Sequence, residues 1–241
     1  MSGVIIGSAR IDENGKISGG SAGDQTAKEV STQNWYKHNK GWIVLRPKNF
    51  EIANLIADDM VYACDNNNIG YDQNQRNTLY KDAEKVGFNC ALVTKKCETD
   101  CSALVRVCCA YAGIRVSDFN TSNEVETLMK SGQFEKLTQT KYTTSEKYLK
   151  RGDILVTKTK GHTVIVLTNG PKAEFNPGTD YVYINGNAVY IRQGPGVVFK
   201  AIGIAHKSSR YPFAGLIENG WYQIYYGSGT AWISGKYSQL L

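Results

Sequence analysis

Cys101 and His162 are the residues of this 241-residue chain whose types and settings best suit covalent chemistry. A cysteine acts as a nucleophile in its thiolate form, and a helix N-terminus favours the thiolate through its dipole and unpaired N–H groups. Cys101 stands at such a place. From it the apolar positions recur as Leu104, Val105, Cys108, Cys109 and Ala112, which trace one helix face, and Gly113 ends the run. Asp100 and Thr99 offer N-cap oxygens. The spacing therefore predicts a buried helix with the thiol in its first turn, where the same N–H groups could stabilise the oxyanion of an acyl transfer. Position alone leaves a second reading open, a thiol packed in the core, where free cysteines usually lie. Cys108 and Cys109, mid-helix on the apolar face, read as core.

A cysteine nucleophile needs a base, and three histidines are available. His38 lies in a polar, Lys-rich loop that reads as solvated. His206 lies in the aromatic C-terminal region. His162 follows Gly161 and starts a predicted strand, His162 to Leu167, which would set it at a sheet edge where a base can face a helix N-terminus. The alternative for His162 is a partly exposed histidine with no role. The six cysteines, Cys64, Cys90, Cys97, Cys101, Cys108 and Cys109, all lie in the first half. Met1 to Ile11 carries no basic stretch followed by a long apolar one, so no signal peptide is expected and reduced thiols are favoured over a disulfide framework. Cys97 and Cys101 have a zinc-like spacing, but no second pair or nearby histidine completes a site. No metal or other cofactor is expected.

These residues need elements to position them. The first 34 residues show no clear period and read as an arm wrapped around the domain. Gly41 to Pro47 reads as a short strand. Asn49 can cap a helix carrying Ile52, Leu55, Ile56 and Met60, and a second helix is predicted from Asp72 to Val86, stopped by Gly87. Thr121 and Glu124 have capping-box spacing before Leu128 and Met129. Gly152-Asp153 leads into a strand over 154–156, and Asn169-Gly170 signals a turn after the histidine strand. Asn176-Pro177-Gly178 is the best linker, and short strands separated by Gly, Asn and Pro turns follow it.

Composition bounds the function classes. A hydrophobic fraction of 41% and a charged fraction of 21% suit a folded protein with a sizeable core. No apolar run reaches the ~18 residues of a membrane span. The net charge is +6, modest and not striped, which gives nucleic-acid binding little support. Residues 1–180 hold 23 basic against 21 acidic side chains, whereas 181–241 hold 5 against 1 together with 12 of the 26 aromatic residues. A basic, aromatic module suits an anionic or sugar-rich surface.

Asp100-Cys101-Ser102-Ala103-Leu104-Val105, followed by Gly152-Asp153-Ile154-Leu155 and Gly161-His162-Thr163-Val164, resembles the NlpC/p60 superfamily of papain-like cell-wall peptidases, close to the CHAP amidohydrolases. The order and spacing of the cysteine and histidine motifs fit. The tail resembles a bacterial SH3 (SH3b) domain, through Tyr190 to Gly196 and the Gly220-Trp221-Tyr222 to Tyr237 stretch. The pair of resemblances is that of a phage or prophage endolysin acting on a Gram-positive host.

The resemblance implies an α+β, papain-like domain over 1–175, with helices packed on an antiparallel sheet, a linker over 176–180 and a small all-β SH3b barrel over 181–241. It implies Cys101 as nucleophile, His162 as base and Tyr71, in Ile69-Gly70-Tyr71-Asp72, near the oxyanion site, although the family's Trp-Gly-Gly after that tyrosine is absent. The family orients its histidine with a third polar group from the following strand. Only Pro171 to Phe175 remains there before the linker, so the sheet must be completed by the N-terminal region, for example 29–36 and 42–45. Glu29 is the first choice for the orienting group, with Asn169 and Glu174 as alternatives. In the tail, Arg192, Trp221, Tyr222 and Trp232 are candidate wall-binding residues, with Lys207 a further surface charge, and the tryptophans and tyrosine could equally form the core. The implied activity is amide hydrolysis in Gram-positive peptidoglycan through a thioester acyl-enzyme, with no nucleic-acid or membrane partner. The protein would be made in the host cytoplasm and act at the wall after release. A non-hydrolytic wall-binding protein and a papain-like acyltransferase are the alternatives.

Overall fold

Asn49 caps the first helix, α1 (Phe50–Asp65), its side-chain oxygen accepting the N–H groups of Glu51 and Ile52. The computed structural model describes residues 3–171, 173 and 180–241. Contacts divide the chain into two units, 1–173 and 174–241.

The first unit is mixed helix and sheet. Its strands are β1 (Ile5–Ala9), β2 (Val30–Asn34), β3 (Trp42–Pro47), β4 (Ile69–Tyr71), β5 (Cys97–Thr99), β6 (Phe134–Leu137), β7 (Ile154–Thr157) and β8 (Thr163–Val166). Six of them form an antiparallel sheet in the order β2-β1-β8-β7-β3-β6. Chain N-terminal to the cysteine thus completes the sheet. The first 34 residues are not only a wrapping arm: β1 lies inside the sheet, between β2 and β8. Its sequence Ile5-Ile6-Gly7-Ser8-Ala9 is buried on both faces and so lacks the alternation that marks a half-exposed strand.

The remaining helices are α2 (Thr78–Glu84), α3 (Cys101–Tyr111), α4 (Glu124–Lys130) and α5 (Thr140–Thr143). The helix predicted over 72–86 is shorter than expected, because Asp72 uses its carboxylate to close a turn on the N–H groups of Asn74 and Gln75. One sheet face packs on α1 and α3 through Leu45, Ile56, Met60, Leu104, Val105, Cys108, Ile154, Val156 and Ile165. The other face buries Val4, Ile6, Trp42, Val44, Leu155, Val164 and Val166. Two glycines permit close approach. A Cβ at Gly7 would stand 2.6 Å from Met60 of α1. Gly152, at φ +86°, would place one 2.3 Å from the Ala53 carbonyl oxygen.

The second unit is all-β: β9 (Tyr181–Ile184), β10 (Ala188–Arg192), β11 (Ala201–His206), β12 (Arg210–Glu218), β13 (Trp221–Tyr226), β14 (Gly229–Ser234) and β15 (Ser238–Leu240). They pair in the order β11-β10-β14-β13-β12-β9-β15, all neighbours antiparallel. Val182, Ile184, Ile191, Phe213, Ile224, Ala231 and Ile233 form its core.

Candidate active site

The parallel pair β4–β5 delivers Thr99 and Asp100 to the start of α3. Asp100 is the N-cap: its Oδ1 accepts the Ala103 N–H at 2.7 Å. Its Oδ2 accepts Arg76 Nε–H at 2.6 Å, and Arg76 also reaches Asp118, Ser102 Oγ and the Phe119 carbonyl. Cys101, 7% exposed, opens the helix.

The backbone N–H groups of Thr163 and Ser102 lie close enough to its thiol to favour the thiolate. Thr163 is the first residue of β8 and follows His162. The helix N-terminus therefore meets the sheet at the peptide next to the histidine. His162 is held through its own backbone: its N–H donates to Thr157 Oγ1 at 2.9 Å, and its carbonyl accepts Thr157 N–H at 3.0 Å.

Burial sets the protonation states. It pushes the Cys101 thiol up, Asp100 and Glu124 add to the rise, and the N–H groups of Thr163 and Ser102 pull against it. The helix start was expected to draw this thiol down; desolvation outweighs it. Burial also lowers His162 to about 4, assisted by His38 and Arg10 and opposed by Asp100. Burial thus favours the neutral form of both side chains. An imidazole in that state can accept a proton as bonding begins.

Other side chains gather here: Arg10 and Tyr36, which the sequence did not single out, and His38, which it read as solvated. Arg10 follows β1, which pairs with β8 through Ile6–Val166 and Gly7–Ile165, and it lies near enough to His162 to lower its titration. Arg10 Nη1 donates to Gln33 Oε1 at 2.7 Å and Nη2 donates to Ser31 Oγ. Burial raises the Tyr36 phenol, which also feels Arg10 and Cys101. His38 is half-buried rather than solvated, its ring 5.1 Å from that of Trp42. Arg10, Tyr36 and His38 carry no local motif. They lie just beyond the ends of β1 and β2, whose place in the sheet is set by tertiary pairing alone.

Tyr71 is buried near the thiol. Burial pushes its phenol up to about 12, and its oxygen accepts Gln73 Nε2–H at 3.1 Å. Glu29, expected to orient His162, does something else: Oε1 accepts Gln25 N–H at 2.8 Å and Oε2 accepts Tyr71 N–H at 3.0 Å. It braces the Tyr71 peptide. Asn169 lies beyond the opposite end of β8 from His162, a strand length of roughly 13 Å away, and its Oδ1 accepts Arg151 N–H at 2.8 Å. Glu174 and most of the expected 176–180 linker lie outside the described residues.

In the second unit Trp232 is 7% exposed and Tyr222 packs against the core, so both are structural first. Trp221 and Arg192 line a groove of about 260 Å³ together with Tyr190, Val197, Lys236 and Tyr237. Arg192 stacks 5.1 Å from the Tyr190 ring and donates to the Phe199 carbonyl at 2.7 Å. Lys207 is exposed in the turn after β11.

No curated protein matches the chain. A family model does: the endolysin-like domain matches residues 6–173, from the first strand of the sheet through the turn after β8. That span is well over half of the chain and holds Cys101, His162 and every element that positions them, and the chain accordingly belongs to the endolysin-like domain family.

Proposed function

We propose that the protein is a lytic peptidoglycan hydrolase that cleaves an amide bond of the Gram-positive wall by Cys–His covalent catalysis. The observation that carries this reading is the contact between the Cys101 thiol and the Thr163 N–H, beside His162, inside a domain of the endolysin-like family. The proposed step follows from the protonation states. The neutral His162 imidazole takes the Cys101 proton as Sγ bonds to the scissile carbonyl carbon. The oxyanion forms at the start of α3, where the first N–H groups have no intrahelical partner. Collapse expels the amine, which takes the proton back from His162, and leaves a thioester. Water, deprotonated by His162, then attacks the thioester carbonyl carbon; the C–S bond breaks, Cys101 leaves as thiolate and takes the proton back from His162, and the acid is released. Tyr71, kept a neutral phenol by burial, can donate toward the same oxygen.

The reading extends the fold to the papain-like NlpC/p60 type and the second unit to an SH3b-type module. That module would hold the enzyme on an insoluble substrate, raising its local concentration. Arg192 and Trp221, at the groove, are its proposed wall contacts. Synthesis in the host cytoplasm followed by release to the wall completes the proposal.

The test is wall clearing. Wild type should clear purified Gram-positive walls, and Cys101→Ala and His162→Ala should not while keeping the wild-type melting temperature. Mass spectrometry of the new termini names the bond, either the muramoyl–alanine amide or a peptide bond of the stem or cross-bridge. Clearing by folded Cys101→Ala refutes the mechanism. Binding of walls by both proteins without clearing by either would favour the non-hydrolytic reading.

A further inference from the structure

Thr121 and Glu124 have the spacing of a capping box, yet neither caps a helix. The N-cap of α4 is Asn123, with no side-chain cap bond. Both side chains turn to the histidine segment instead. Thr121 Oγ1 accepts the Gly161 N–H at 3.0 Å. Glu124 Oε1 accepts the Thr163 hydroxyl at 2.7 Å. Gly161 and Thr163 are the two neighbours of His162, and the Thr163 N–H is the one that meets the Cys101 thiol.

We propose that Thr121 and Glu124 form a clamp that positions His162 against Cys101 by gripping the residues on either side of it. This rests on the Cys–His reading above. Both are positioning residues, since neither holds the histidine ring itself. The clamp answers a problem of the local sequence. His162 follows a glycine at the end of a tight connection between β7 and β8, whose tip, Lys158 to Gly161, is exposed. Glycine leaves the approach to the histidine conformationally loose. Thr157 fixes the His162 peptide from the β7 side, and the α4 segment fixes its flanks from the other.

The choice of glutamate also has a physical reason. Glu124 is fully buried, and its Oε2 has no hydrogen-bond partner among the described residues. An ionised carboxylate in that place would be costly to bury and would oppose a thiolate at Cys101. Burial, with Asp100 adding and Thr163 and Arg76 opposing, raises the group to about 8. At neutral pH the clamp is an uncharged acid that still bonds Thr163.

The experiment compares Thr121→Val, Glu124→Ala and Glu124→Gln in the full chain. Wall-clearing kcat and KM are measured, together with the rate at which iodoacetamide alkylates Cys101, read by mass spectrometry of its peptide. Small misplacements of a catalytic group cost one to two decades of rate. Thr121→Val and Glu124→Ala should each lower kcat roughly ten- to hundredfold with KM little changed, and should slow Cys101 alkylation in parallel. Glu124→Gln, uncharged and still an acceptor, should stay within about threefold of wild type. Thr121→Val is nearly isosteric, so it decides the matter even if Glu124→Ala fails to fold. The clamp is overturned if folded Thr121→Val keeps wild-type kcat and alkylation rate, or if Glu124→Gln is as impaired as Glu124→Ala. Alkylation needs no wall substrate, so a wild type that fails to clear walls would sink the proposed function while the alkylation rates still decide on the clamp.

Discussion

Asp153→Ala should strip the first unit of much of its stability, and the structure sets the size. Asp153 is fully buried, and Arg46, on the neighbouring strand β3, is 12% exposed at its side chain. The two make a bidentate pair, Nε to Oδ1 at 2.8 Å and Nη2 to Oδ2 at 2.7 Å. Oδ2 also accepts Lys150 N–H at 2.8 Å, closing the turn before β7. Removing the carboxylate leaves the guanidinium with the Tyr148 carbonyl, the Tyr142 ring and, across the strand pair, Glu135. Breaking one side of a buried pair costs about 3–5 kcal/mol. Loss of the bond from the Lys150 N–H adds about 1 kcal/mol. For a unit of this size the sum corresponds to a fall in Tm of roughly 8–24 °C. Urea unfolding followed by tryptophan fluorescence measures it, since Trp42 is fully buried in the same sheet. The midpoint should drop with the slope unchanged. Adding Arg46→Met should recover about 2 kcal/mol or more, because the unpaired charge leaves with it. A loss below about 1 kcal/mol for Asp153→Ala, or no recovery in the double variant, would refute the buried-pair argument.

Two further predictions concern pH. In the proposed mechanism His162 must be neutral to accept a proton, and desolvation lowers it to about 4, so kcat/KM for wall clearing should stay flat from pH 7 down to about 5; an acid limb centred near 6.5 would contradict a desolvated, neutral imidazole. Stability should fall as pH rises from 5 to 8. Burial lifts Glu124 to about 8 from 4.5 and Asp59 to about 7 from 3.8. Between those limits the folded state holds protons that the unfolded state has released, so each group costs about 1.4 kcal/mol per pH unit. Carboxylates held low, such as Asp72, titrate below this window, and His162, lowered to about 4 from 6.5, opposes the fall with one group against two and only below 6.5. Denaturant midpoints at pH 5.5 and 8 check this, and a higher midpoint at pH 8 would contradict it.

The chain's local chemistry fixed a good deal without a structure. The period from Cys101 to Ala112 placed a buried helix because one face of apolar residues has few alternatives, and α3 runs Cys101–Tyr111. Asn49 marked the start of α1 for the same local reason. Gly152-Asp153 and Asn169-Gly170 bracketed the strand pair β7–β8. What depends on distant pairing was not legible. β1 is buried on both faces, so its sequence shows no alternation. Glu29 braces Tyr71, and Thr121 and Glu124 face the histidine segment, because the fold decides what stands opposite a polar side chain. The Cys101 thiol sits at a helix start, as its sequence position implies, yet its protonation follows its burial. Sequence names the residues and the local turns; desolvation and the partner across the sheet are properties only the packed structure has.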